Sequence, residues 1–259
     1  MTDARDREGS AIETDIHAEA DRLAGLAVES GLALRLMGGL AIWLTSPTVR
    51  RPPYRRSYGD LDFAASSHER PRVDDFFEAA GYRAEKLFNA LHGASRLNYV
   101  HPLGHWPIDV ILDELRMSHR IDLRGRLSRP GPTISLADLL LTKLQIWQIN
   151  DKDVGDAVCL LADHAIDDGS ETAIDSGRIV ALLRVDWGLC HTVERNLHRV
   201  AELAREQPPD GGACDAALQA EALLELVAAA PKSLAWRARA GVGERVAWYQ
   251  VPEEVRHQT

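Results

Sequence analysis

Apolar residues change their spacing along this chain, and the changes mark its elements. From residue 14 to 30, Ile16, Leu23, Leu26 and Ala27 recur at helical spacing, and Gly31 is placed to end the helix. Residues 32–37 then read as a buried strand that closes at Gly38-Gly39. Residues 40–44 begin a helix that Pro47 stops. Beyond a loop over 50–56, residues 60–65 predict a second strand, and Ser66 or Ser67 is placed to cap a helix over 71–80 that Gly81 ends. Residues 97–100 and 106–112 predict a hairpin around Pro102-Leu103-Gly104, with a further short strand near 121–123.

The character shifts after Pro130-Gly131-Pro132. Ser135-Leu136-Ala137-Asp138 reads as a capping box opening a helix through Ile149, and 152–164, 174–185, 187–204 and 215–230 carry helical periodicity. No internal repeat or low-complexity tract interrupts this. The pattern predicts an α+β chain: an α/β domain over 14–130, then a helical bundle over 131–259, behind a polar, loose start over residues 1–13. The interface between two such domains is where a ligand cleft is expected.

At 259 residues the chain can bury a substantial core, and a net charge of −9 excludes a basic nucleic-acid clamp as its overall character. No window approaches a membrane-spanning apolar run, and the first residues carry no apolar leader. Cys159, Cys190 and Cys214 are far apart and set in helical patterns, which fits neither a metal site nor a disulfide framework and agrees with a reducing cytoplasm. His92, His101, His105 and His119 show no converging spacing and read as structural or surface residues.

Chemistry concentrates at three carboxylates. In Gly59-Asp60-Leu61-Asp62-Phe63, Asp60 and Asp62 lie two apart, so on a strand both leave one face while Leu61 and Phe63 leave the other. Asp109 sits on a later apolar strand, Pro107-Ile108-Asp109-Val110-Ile111-Leu112. Such carboxylates repel in a partly dry setting, and a divalent cation with hard oxygen preference, Mg²⁺, offsets that when it shares the site with substrate phosphates. A solvated strand face with a turn-capping Asp pair is the bland alternative. The glycines and Asp109 weigh against it. A strand ending in two glycines that open a helix offers backbone N–H groups to phosphate.

Met37-Gly38-Gly39, Asp60-Leu61-Asp62 and Asp109 resemble, in order and local context, the signature of the nucleotidyltransferase superfamily that includes DNA polymerase beta. The spacing from Gly39 to Asp60 exceeds the family's usual one, so the intervening basic loop reads as an insertion. Lys143 in Ala137–Leu144 and the run Lys152-Asp153-Val154-Gly155-Asp156 are similar to the abortive-infection nucleotidyltransferases of the AbiEii type and related toxins. The resemblance covers residues 35 to about 165. It implies a nucleotidyltransferase-type mixed sheet and an enzyme that moves a nucleoside monophosphate from a nucleoside triphosphate to an acceptor hydroxyl. Asp60, Asp62 and Asp109 would hold Mg²⁺, with Asp109 also the base for the acceptor and Asp113 its weaker substitute. Gly38 and Gly39 would cradle phosphate, and Lys143, Asp153 and Asp156 would reach the nucleotide from the helical domain.

Lys143 can be read without the family. Leu139, Leu140, Ile146 and Trp147 surround it at helical spacing, so its charge requires a carboxylate or a phosphate, unless it extends past Trp147 to solvent. Arg50, Arg51, Arg55 and Arg56, interleaved with Tyr54 and Tyr58, suit phosphate or base contacts, or a solvated loop. For the acceptor, the toxin likeness implies the tRNA 3′ end and an antitoxin partner. The acidic balance suits a small cationic hydroxyl compound such as an antibiotic. A non-catalytic nucleotide-binding module is the third reading.

Overall fold

The structure, a computed structural model, describes residues 12–167, 170 and 172–251. The expected loose start lies almost wholly outside them. The elements run α1 (Ile16–Glu29), β1 (Leu34–Met37), α2 (Gly38–Thr45), β2 (Leu61–Ala65), α3 (Arg70–Ala79), β3 (Arg83–Ala84), α4 (Lys86–His92), β4 (Arg96–Val100) and β5 (Pro107–Leu112). Next come β6 (Glu114–Arg116), β7 (Arg120–Asp122), α5 (Leu136–Leu144), α6 (Asp151–Asp163), β8 (Ile166–Asp167), β9 (Ile174–Asp175), α7 (Ser176–Leu183), α8 (Trp187–Glu206), α9 (Ala216–Ala229) and α10 (Leu234–Val242). The architecture is α+β, as the pattern predicts.

Two compact units divide the chain. The first comprises residues 12–44, Ser57–Glu114 and Asp122–Ile134; the second comprises Thr45–Arg56, Leu115–Ile121 and residues 135–251. The first is built on a mixed five-stranded sheet in the order β1-β2-β5-β4-β3, in which only β2 and β5 run parallel. Leu61, Phe63 and Ala65 with Ile108, Val110 and Leu112 give one buried face. There Phe77 of α3 meets Phe63 edge-on and stacks obliquely on Tyr99, pairs that contribute about 0.5–1.5 kcal/mol each beyond area burial. The outer edge of β1 is covered: Leu36 donates to Pro132 O and accepts from Ile134 N–H, so no strand edge is left open there.

Three local outcomes differ from the pattern. Neither Ser66 nor Ser67 caps α3 with its side chain; Asp113, at φ +63°, instead accepts the Ser67 N–H at 2.9 Å. Helix α4 carries no apolar face toward the core, since Leu87 and Leu91 are exposed, so periodicity cannot reveal it. Its one buried side chain, Asn89, bonds both the N–H and the C=O of Asn98 and so acts as a strand partner for β4.

In the second unit, α6 packs against α5, α8 and α9. Helix α5 stops at Leu144 rather than Ile149, because Asn196 of α8 donates to both Leu144 O and Ile146 O at 2.8 Å and Ser118 Oγ accepts the Trp147 N–H. These bonds take over the backbone groups that further helix would have used. Residues 45–56 are fastened to α6 by Thr48, whose N–H and hydroxyl both donate to the Asp163 carboxylate. No helix among the described residues is long and apolar enough to cross a membrane.

His119 is buried beside Thr192, with Nε2 2.8 Å from Oγ1. Burial holds its pKa below the ordinary histidine value, against a smaller opposing pull from Asp186. The unfolded chain therefore binds the extra proton first, and stability falls as pH drops through about 6.5 toward the folded-state pKa. His119→Gln should flatten that part of a urea-unfolding profile taken between pH 5 and 8. Superimposable profiles would refute the assignment.

Candidate active site

In the first unit, strand register assembles the site. Met37 pairs across from Asp62, Asp62 lies beside Asp109, and Asp109 pairs across from Asn98, giving one rung over four strands. Because β2 and β5 are parallel and in register, Asp62 and Asp109 leave the same face side by side, opposite the face that carries Phe63 and Val110. Both are half-buried. Asp60 lies one residue ahead of β2 and is exposed.

Gly38, directly after Met37, opens α2 with φ +69°. A Cβ there would fall 2.2 Å from Asp62 Oδ2 and 3.1 Å from its Cβ and Cγ. Glycine is thus required twice, by the left-handed turn and by the carboxylate against its backbone. Gly39 is the second residue of α2. The first amides of a helix have no acceptor within it, and with no side chains at Gly38 and Gly39 they are accessible to an anion.

Asp109 has partners that sequence reading missed. Arg96 Nε donates to Asp109 Oδ1 at 2.6 Å and Arg96 Nη2 lies 2.6 Å from Oδ2. The Asn98 amide lies 3.2 Å from Asp109 Oδ1, and the amide orientation that gives both its polar atoms partners makes it a donor to that oxygen. Burial alone would lower the Arg96 pKa; its bonds with Asp109 and the attraction of Asp109 and Asp62 outweigh that and raise it. The observed register shows how they meet: Val100 pairs with Pro107, which sets Asn98 opposite Asp109 and Arg96 one step along the same face, whereas a hairpin centred on Leu103 would set Asn98 opposite Ile108. Among the described residues no three His, Cys, Asp or Glu side chains form a ready-made metal site. The donor chemistry of Asp60 and Asp62, hard carboxylate oxygen, is what Mg²⁺ takes. Both Asp109 oxygens already carry a guanidinium.

In the second unit, Lys143 is buried, and its Nζ lies 2.7 Å from Asp153 Oδ1 and 3.0 Å from Asp156 Oδ2. Its anion is therefore carboxylate. Ile146 and Trp147, expected as its helical neighbours, lie beyond the end of α5, so only Leu139 and Leu140 flank Lys143 at helical spacing. Asp156 also receives Nε and Nη2 of Arg56, so two cations face two carboxylates. Burial works against the lysine charge, but Asp156 and Asp153 outweigh it and hold its pKa above the ordinary value. The stabilisation this gives is complete below the ordinary lysine range and is lost only as pH rises through the raised value.

The arginine loop is divided: Tyr54 and Arg56 are drawn into the fold, while Arg50, Arg51 and Arg55 are exposed. Arg56 is on Asp156, Arg51 Nη1 donates to Asp210 O, and Tyr54 is buried with its hydroxyl on Gln207 O. Burial pushes the Tyr54 pKa up to about 12. Gly155 makes room for the Tyr54 ring, since a Cβ there would meet it at 3.2 Å.

No protein-family model matches the chain, and no curated protein matches it. Among solved structures it is similar to a lincosamide antibiotic adenylyltransferase in lincomycin-bound form, at 17% identity and a TM-score of 0.40, over 55% of this chain and 94% of that one. It is also similar to an antigenic nucleotidyltransferase-like protein from Paracoccidioides brasiliensis, at 11% identity and a TM-score of 0.35, over 86% of this chain and 96% of that one. Neither likeness is strong enough to assign the chain to a family.

Two substitutions test these placements. Gly38→Ala should cost about 1–3 kcal/mol in urea unfolding through its positive φ and its collision with Asp62; a neutral result would contradict the turn. Asp156→Ala, which takes a carboxylate from both the buried Lys143 and the half-buried Arg56, should cost about 3–5 kcal/mol and clearly more than Asp153→Ala. Equal losses would refute the central place of Asp156.

Proposed function

We propose that the chain is a nucleotidyltransferase that moves a nucleoside monophosphate from a nucleoside triphosphate to an acceptor hydroxyl and releases pyrophosphate. The observation that carries the reading is the rung on which Asp62 and Asp109 stand side by side, with the Asp62 carboxylate against the Gly38 turn at the start of α2. Paired carboxylates beside open helix amides suit a triphosphate accompanied by a divalent cation, and the order of these residues is the one the nucleotidyltransferase signature has.

Asp60 and Asp62 would hold Mg²⁺, with Asp109 as the neighbouring carboxylate. When bound, Mg²⁺ would neutralise phosphate charge as it develops at the transferred group. The amides of Gly38 and Gly39 bind the departing phosphates, since backbone donors fixed beforehand need no reorganisation. Asp109, fixed by Arg96 and Asn98, orients the acceptor hydroxyl and receives its proton. Lys143, Asp153 and Asp156 form a balanced charged cluster; their role in this reading is to fix α5 on α6.

The toxin likeness implies tRNA; the loop that would guide it commits Tyr54 and Arg56 to contacts within the fold, which favours a small acceptor instead. The net charge of −9 suits a cationic one. With tRNA the antitoxin partner also recedes. Incubation with labelled triphosphates, Mg²⁺ and either tRNA or a panel of aminoglycosides and lincosamides should place label on a small compound. Label on tRNA would overturn the choice of acceptor. Asp62→Asn should lower transfer by about 10²–10³-fold or more while the melting temperature is kept. Undiminished turnover would refute the site.

A further inference from the structure

Asp62 and Asp109 are adjacent on a half-buried face, and two such carboxylates repel unless a cation lies near. The chain supplies one. Asn98 stands opposite Asp109, and Arg96, two residues along β4, leaves the same face and reaches Asp109 diagonally. Its planar fork takes both oxygens, at 2.6 Å each, the geometry in which arginine holds a carboxylate most firmly. The Asn98 amide adds a third contact at 3.2 Å. The Arg96 side chain keeps 34% of its surface exposed and Asp109 keeps 16%, so the pair stands at the open side of the sheet. Arg96 also feels the charge of Asp62. The guanidinium and the Asn98 amide thus take three of the four lone-pair sites of Asp109, and the guanidinium charge opposes a second divalent ion there while one site stays open to a proton.

We propose that Arg96 is a positioning residue of the transfer site: a cation carried by the chain that fixes Asp109 beside Asp62 and excludes a second divalent ion from Asp109. The inference rests on the nucleotidyltransferase reading and deepens it, because it gives this site one exchangeable ion, at Asp60 and Asp62, and one permanent cation. An ordinary strand-to-strand ion pair would stabilise β4 against β5 without touching metal binding. That is the difference an experiment can read.

Mn²⁺ alone serves as the probe, titrated into the full chain and followed by the electron paramagnetic resonance of the free ion. The wild type should take one Mn²⁺. Arg96→Met should take two, or one at least about tenfold more tightly, since the ion no longer competes with the guanidinium. Its melting temperature without metal should fall, and Mn²⁺ should raise it by more than in the wild type. Adding Asp109→Asn to Arg96→Met should bring the stoichiometry back to one. If Arg96→Met does not fold, Arg96→Lys replaces it: an ammonium lacks the bidentate fork and should yield to Mn²⁺ several-fold more easily. Wild-type stoichiometry and affinity in the variant that folds, or two ions in the wild type, would overturn the inference and leave the proposed function standing. A wild type that binds no Mn²⁺ would overturn the metal reading of that function, and the inference with it.

Discussion

The parallel, in-register pairing of β2 with β5 is the constraint from which the site follows. Parallel register places equivalent residues side by side on one face, so two aspartates 47 positions apart become neighbours at the rung where β1 ends. Everything around that rung answers their charge. Gly38 lets the backbone turn against Asp62, where any side chain would collide, and Arg96 with Asn98 closes on Asp109 from β4. The opposite face is apolar but for the Tyr99 hydroxyl, which holds the register, because a slip by one residue would drive the carboxylates into the core and Phe63 and Val110 out of it.

The helical unit handles charge differently. Its interior carries Lys143 and Arg56 against Asp153 and Asp156, an arrangement stable only while each partner is present. The cluster joins the loop over 45–56 to α6 and α5, and Thr48, hydrogen-bonded to Asp163, makes a second attachment at the far end of α6. The loop that looks like a phosphate grip in sequence is, in the fold, fastened through Thr48, Tyr54 and Arg56. Basic composition alone does not distinguish a guanidinium that awaits a ligand from one that already has a carboxylate.

Legibility followed locality. Helix starts were readable because their caps are local: Asp15, Ser135, Asn150, Asp175, Asp186 and Asp215 each accept backbone N–H groups two or three residues on. The hairpin of β4 and β5 was readable from its turn. The end of α5 was not, since Asn196 decides it from about fifty residues away. Nor was α4, whose leucines face outward, nor the partner of Lys143, which helical spacing narrowed only to an anion.

By itself the sequence determined an α+β chain with a strand-glycine turn, two carboxylate strands and a helical second half, because hydrophobic period, caps and turns are written within a few residues of where they act. The tertiary structure alone decided which charges pair: Arg96 on Asp109, Arg56 on Asp156, and Lys143 between Asp153 and Asp156. Coulomb attraction and desolvation depend on distance in space, and a linear spacing becomes a distance only after strand register and helix packing have been set.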